Sequence, residues 1–291
     1  MAAPLSVFLD SRAPASQLVR WLLRERGVPW VAREIDTLVA LEHLEPWYVR
    51  LTPAAAVPML VRDGAVADRL SAILLAVHAA AGDDVMLPAA CRDEVEGWLL
   101  RLDDFPVDAL GRGADTIGAL DLGRRRRALA KRAVAHPDLD GTYRALAASL
   151  EDGPGDRIAT IEAILTSAEA ALALPAGAAG DPLRDNDGPW LVGSSLTLAD
   201  VALAACVAAL ARSELRYLLT PDRWPHLAKW WGRFRRQPSV RRSGLTDHPD
   251  GQPLVAWAGW LLPRVAALTA ALVALYVVVR WWRRRSTPQH A

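Results

Sequence analysis

Cysteine is scarce in this chain: there are 2 among 291 residues, Cys91 and Cys206. Neither belongs to a CxxC pair or to metal-ligand spacing, which excludes a disulfide-stapled fold and a thiolate zinc site. The expectation for both is a buried thiol in a helix. The 6 histidines are scattered, none with another at helical ligand spacing, so no metal centre is expected. Net charge is also small, with 34 basic residues against 33 acidic ones. That balance excludes a strongly basic nucleic-acid binder and an acidic tail. The opening "MAAPLSVFLD" lacks a basic region followed by a long apolar core, and it is not an arginine-rich transit peptide. The N-terminal part is therefore expected to stay on the side of a membrane where it is made. No internal repeat is visible. What the chain does have is hydrophobic residues, 52%, beside 23% charged ones, enough to bury the core of one or two domains.

Residues 1–82 alternate short strands and helices. Leu5 to Leu9 is a short apolar strand. From Pro14, residues Leu18, Trp21, Leu22 and Val28 recur at roughly helical spacing, and Gly27 supplies a stop. "PWVAREID" alternates as a strand does. "PMLVRDGAVAD" reads as a hairpin turning at Asp63 and Gly64. "LSAILLAVHAAAG" is a helix ended by Gly82, and "HLEPWYVRL" is an irregular middle helix. The order is βαβαββα, which one mixed sheet covered by helices satisfies.

Strand signals nearly vanish from about residue 88. Helical patterns fill 88–246, separated by stretches such as "PAGAAGDPLRDNDGP", and predict an all-helical second domain. In "SLTLADVAL", Thr197 and Asp200 have the spacing of a capping box, with Leu196 placed to pack on Val201. The run Arg124 to Arg127, with Lys131 and Arg132, reads as a solvated helix face or, more sharply, as a contact for anionic lipid headgroups. No aromatic platform accompanies it, so no nucleic-acid partner is expected.

The chain closes on "LVAWAGWLLPRVAALTAALVALYVVVRWWRRR". Val265 to Val279 carries no charge over 15 residues. That is short of the ~20 needed to span a bilayer, and extension back through Leu262 includes Pro263 and Arg264. Arg264 is close enough to one end to snorkel. Trp260 and Trp281, 21 residues apart, bracket about 31 Å of helix, which matches a hydrocarbon core of ~30 Å between aromatic belts. Residues 254–282 are therefore expected to form a C-terminal transmembrane helix with the lipid bilayer as partner. Placing Arg280 and Arg283 to Arg285 beyond it runs against the positive-inside tendency.

The small α/β half, the helical half, Val57-Pro58 before a strand and the late capping box together resemble the glutathione transferase fold. Within that superfamily "SQLVR", "LEHLEPWYVRLTPAAAVPMLV", "LRLDDFPVDALGRG" and "PWLVGSSLTLADVALA" resemble the ganglioside-induced differentiation-associated proteins. A long insertion of helices at about 112–155 and the hydrophobic tail are marks of that group. The resemblance implies a thioredoxin-like N-terminal domain, a helical C-terminal domain and glutathione as ligand or co-substrate, with no metal. It also implies a tail anchor with the globular part in the cytosol, on the mitochondrial outer membrane of a eukaryotic host. Members of the superfamily are often dimers, so a homodimer is among the expected assemblies.

The resemblance also implies a site. A thiol is bound at the start of the first helix, where unpaired amides and the helix dipole favour the thiolate. Here Pro14 suits the first helical position, which makes Ala13 the cap, and alanine offers no hydrogen bond. Ser11 is the nearest hydroxyl that can take the catalytic role, while Ser16 is expected to face its own helix. Pro58 is expected to be cis, with the backbone of Val57 pairing with the cysteinyl part of glutathione. The acid that holds the γ-glutamyl group aligns with Arg69, which cannot accept an ammonium. Asp68 serves only if the turn shifts by one residue, and Arg69 suits an acidic ligand instead. Three functions follow as expectations: a membrane-anchored ligand sensor or interaction module with weak or no transferase activity, acting in organelle morphology or redox signalling; an active glutathione transferase; or a purely structural adaptor.

Overall fold

In the computed structural model, the described residues are 4–107, 110, 116–150, 154–173 and 189–243. The predicted anchor at 254–282 lies outside them. Among the described residues no helix is long and apolar enough to cross a membrane.

The N-terminal half follows the predicted order. Strand β1 (Leu5–Leu9) is followed by α1 (Pro14–Glu25) and β2 (Trp30–Glu34). A 3-10 turn (Glu42–Leu44) leads into α2 (Pro46–Leu51), then β3 (Met59–Arg62), β4 (Ala65–Ala67) and α3 (Leu70–Ala81). The sheet order is β2-β1-β3-β4, with β1 parallel to β2 and antiparallel to β3, and β3 antiparallel to β4. The turn between β3 and β4 is the predicted two-residue one. Asp63 and Gly64 take φ of 50° and 81°, the pair of left-handed conformations that matches the twist of a hairpin. Gly82 caps α3 with φ 74°.

The burial of β2 departs from its alternating sequence. Val31, Ala32, Arg33 and Glu34 are all exposed, and Val31 keeps 58% of its surface. The strand lies at the sheet edge and is only thinly covered, with the Arg33 guanidinium over the Trp47 ring at 3.9 Å.

The helical half contains α4 (Arg92–Asp103), α5 (Thr116–Ala135), α6 (Asp140–Ser149), α7 (Pro154–Ala173), α8 (Leu198–Ala211), α9 (Pro225–Arg236) and α10 (Pro238–Arg242). Helix α8 is apolar on every side and buried from Leu198 to Leu210. An all-apolar helix belongs at the centre of a core, and α1, α3 and α4 pack on it. One continuous core thus joins the two halves.

The predicted capping box starts α8, and its acid does more than cap. Asp200 is fully buried. Its carboxylate accepts from the amides of Leu191 (2.8 Å) and Thr197 (2.9 Å), the Thr197 hydroxyl (3.0 Å) and Trp230 Nε1 (2.8 Å). Burial pushes this carboxyl above its ordinary range, against the pull of those four donors. The helix start, the incoming loop and α9 are thus tied to one carboxylate. Trp230 stacks on Phe234 at 5.8 Å, and Phe234 meets Trp21 of α1 edge-on at 5.9 Å. Of the two thiols, Cys206 is buried in α8 as expected, whereas Cys91 is half-buried at the cap of α4.

Helices α5 and α6 fill the predicted inserted region, and they correct the solvated-face reading of its basic run in part. Arg124 donates to the carbonyls of Val39 (2.7 Å) and Leu38. Arg125 pairs with Asp121 at 2.7 Å and Arg132 with Glu45. Arg124 and Arg132 dock the insertion on the N-terminal half, whereas Arg125 pairs within α5; Arg126, Arg127 and Lys131 are the exposed members of the run. A charge count could not separate docking from solvation because the acceptors at 38 and 39 are backbone carbonyls.

Candidate functional site

Strand register gathers the predicted site residues at one end of the sheet. Phe8 pairs with Met59 across β1 and β3, and Leu60 with Ala67 across β3 and β4. The loop after β1 carrying Ser11, the residues Val57 and Pro58 before β3, and Asp68 and Arg69 after β4 therefore share that end.

At the start of α1, Ala13 is the N-cap without a side-chain hydrogen bond, and Pro14 follows it. The amides of Ala15 and Ser16 lie in the first turn, where a helix has no acceptor for them. Ser16 is fully buried, and its hydroxyl accepts from the Asp10 amide at 3.1 Å, so it turns to the end of β1 and not to its own helix. Ser11 is exposed. Its amide donates to Glu34 and its carbonyl accepts from Gln17 Nε2 at 2.8 Å. Among the described residues its hydroxyl has no hydrogen-bond partner, so it is free to meet a ligand.

This loop is fixed by a charge network. Asp10 is 2% exposed. It accepts from the amide of Arg12 (2.9 Å), from Arg12 Nε (3.0 Å) and Nη2 (2.9 Å), and from the Thr37 hydroxyl. Arg12 also reaches Asp36 at 2.7 Å. Burial alone would raise the Asp10 carboxyl; the bonds from Arg12 and Thr37 outweigh it and hold the carboxyl below its ordinary value. Partial burial acts the same way on Asp36, but the amides of Val39, Ala40 and Leu38 together with Arg12 bring it down to about 2. From the helical half, Arg212 donates to the Arg12 carbonyl (3.3 Å) and to Gln17 Oε1 (3.0 Å). Both halves thus hold the loop between β1 and α1.

The Val57–Pro58 peptide bond is cis. Val57 is half-buried, and among the described residues its N–H and C=O have no hydrogen-bond partner. This leaves one backbone donor and one acceptor open at the edge of the sheet.

The third corner is closed. Arg69 is the N-cap of α3 and is exposed, with no capping hydrogen bond. Asp68 is engaged by the Thr52 hydroxyl at 2.8 Å. The amide of Ser71 donates to Asp103 of α4 at 3.0 Å, and the Ser71 hydroxyl donates to the same carboxylate. One first-turn donor of α3, the Ser71 amide, is therefore already satisfied from the helical half, and the residue ahead of the helix is a cation.

The sequence reading missed Asp10, Arg12, Asp36 and Thr37. Their signal was present: "LD" after β1 and "EID" after β2 end two adjacent parallel strands, so their acids must meet. It also missed Asp103, whose partner is separated from it by 32 residues. Among the described residues, no group of three or more His, Cys, Asp or Glu side chains is placed to hold a metal ion.

Two family models match the chain: glutathione S-transferase, N-terminal domain, over residues 13–80, and glutathione S-transferase, C-terminal domain, over residues 167–238. Similar solved structures include glutathione transferase E6 from Drosophila melanogaster, at 18% identity and TM-score 0.54, covering 82% of this chain and 90% of that one. A glutathione transferase homolog from Lodderomyces elongisporus, with two glutathione molecules per subunit, is 20% identical at TM-score 0.55 over 83% of this chain and 97% of its own. Ure2p in complex with glutathione is 19% identical at TM-score 0.56 over 84% and 99%. At these identities the structures speak for the fold.

Proposed function

We propose that this chain, whose two halves match glutathione S-transferase N- and C-terminal domain models, binds a thiol peptide weakly and turns it over slowly, as a ligand-sensing module with glutathione as its natural probe. The observation that carries this reading is the open backbone edge of Val57 beside the start of α1. The edge offers one donor and one acceptor to a cysteinyl backbone. The amides of Ala15 and Ser16, with the Ser11 hydroxyl, face the adjoining space for a thiolate. Affinity is held low because Arg69 repels the ammonium of a γ-glutamyl group. Turnover is held low because Ala13 adds nothing at the helix cap and Ser11 is the sole hydroxyl in that loop.

The full chain in detergent, assayed with glutathione and an aryl halide, tests this. The expected result is retention on immobilised glutathione at high ligand density, with slow conjugation that falls further on Ser11→Ala. Rapid turnover abolished by Ser11→Ala supports a full transferase instead. No retention and no thermal shift with glutathione supports the structural adaptor.

Residues 254–282 are proposed to anchor the protein in a bilayer, with the globular part in the cytosol and, in a eukaryotic host, on the mitochondrial outer membrane. The tryptophan-bracketed apolar length supports this, and so does the resemblance to ganglioside-induced differentiation-associated proteins, which points to organelle morphology or redox signalling. Sedimentation of the full chain with membranes, and its release by detergent but not by alkaline carbonate, is the expected outcome. Release by carbonate alone contradicts it.

A further inference from the structure

Helices α5 and α6 belong to the helical half by sequence, yet none of their described residues joins the main core. They build a second, separate core instead. Leu129 of α5 and Tyr143 of α6 pack with Leu41, Leu44, Val49 and Ala55, all from the segment between β2 and β3. Polar contacts frame this patch. Tyr143 is fully buried, and its hydroxyl donates to the Leu44 carbonyl at 3.1 Å. Arg124 holds the carbonyls of Leu38 and Val39, Arg132 pairs with Glu45, and Arg50 pairs with Asp138 at 2.8 Å.

Two residues in the patch are strained. Leu41 and Ala55 take φ of 54° and 52°, a left-handed conformation that a side chain disfavours. Both are buried against the hairpin. Strained backbone persists where the surroundings over-determine it, and here the surroundings are α5 and α6. The strained segment leads directly to the ligand edge. Tyr48 donates to the Ala56 carbonyl at 2.6 Å, and Ala55 lies two residues before Val57.

We propose that the α5–α6 hairpin is a clamp on residues 38–57 that sets the ligand affinity of the Val57 edge, with Tyr143 as its positioning residue. The affinity part rests on the proposed thiol-peptide reading; the clamp itself does not. Without the hairpin, Leu41 and Ala55 lose the burial that offsets their conformation, the segment relaxes, and the Val57 backbone is no longer held toward a ligand.

Hydrogen exchange followed by mass spectrometry on the full chain in detergent reads the clamp directly. Tyr143→Ala should speed exchange across 38–57 by about tenfold or more, while β1 and α1 keep their wild-type rates. Arg124→Gln, which leaves the small core filled, should speed exchange at 38–44 and keeps the test decisive if Tyr143→Ala does not fold. Calorimetric titration with glutathione reads the second part. Tyr143→Ala should weaken binding about fivefold or more, and Tyr143→Phe should stay within about twofold because it keeps the packing. Unchanged exchange over 38–57 in folded variants overturns the clamp. Faster exchange with unchanged glutathione affinity overturns its link to the site. A wild-type chain that binds no glutathione removes the thiol-peptide reading and the affinity link together, and exchange alone then decides the clamp.

Discussion

Acid should destabilise this protein through one buried histidine. His43, in the 3-10 turn ahead of α2, is 7% exposed, and its Nδ1 has no hydrogen-bond partner. Burial first, then Arg125 and Arg132, push its pKa from 6.5 down to about 3, against a weaker pull from Asp10 and Asp36. The unfolded chain takes a proton on this ring near pH ~6.5, and the folded chain refuses it until far lower pH. Between those two values the unfolded state binds more protons, so stability falls as pH falls. It is fully present above the unfolded pKa and declines toward the folded one. At about 1.4 kcal/mol per pH unit, the loss from this group on going from pH ~7.5 to pH ~5 is about 2 kcal/mol. Asp10 and Asp36 stay ionised over that range, because both are held below the ordinary carboxylate value. Urea unfolding followed by tryptophan fluorescence, at both pH values, checks the argument on wild type and His43→Gln. Wild type should lose about 2 kcal/mol more than the variant. Equal losses in the two proteins would refute the reasoning.

Three further outcomes follow from individual contacts. Asp200→Ala leaves the Trp230 indole and two backbone amides buried without an acceptor and should cost about 3–5 kcal/mol in urea unfolding, with Asp200→Asn retaining part of it. Asp103→Ala strips the amide and hydroxyl of Ser71 at the start of α3 and should cost about 1–2 kcal/mol by the same measurement. Arg69→Glu replaces a repelling charge with an acceptor for the γ-glutamyl ammonium and should tighten glutathione binding by about tenfold in calorimetry.

The parts of the fold set by local chemistry were legible in the sequence. Gly82, the Asp63-Gly64 turn, Pro14 after Ala13 and the Thr197–Asp200 box each state a backbone conformation within a few residues, and each is found in place. The two-domain order was legible because hydrophobic period changes near residue 88. What could not be read depends on pairs distant in sequence. The Asp10–Arg12–Asp36 network needs the β1–β2 register, and the Ser71–Asp103 cap needs α3 against α4. The docking of Arg124 and Tyr143 onto carbonyls at 38, 39 and 44 has no sequence signature, because any residue supplies a carbonyl. The same limit explains why the docking role of Arg124 within the basic run could not be read. Burial of β2 was illegible for another reason: alternation reports strand geometry, and the position of the strand in the sheet decides exposure.

The proposed thiol-peptide site is divided, with the Val57 backbone edge open and the corner at the start of α3 held by Arg69 and the Ser71–Asp103 bonds. Calorimetric titration of the full chain with glutathione and with the dipeptide cysteinylglycine, under one set of conditions, measures that division. If the corner is closed, removing the γ-glutamyl group forfeits little, and the two ligands should bind within about threefold of each other. Glutathione binding more than about thirtyfold tighter than the dipeptide, a difference of about 2 kcal/mol, would mean that the corner holds the γ-glutamyl group after all and would contradict the account.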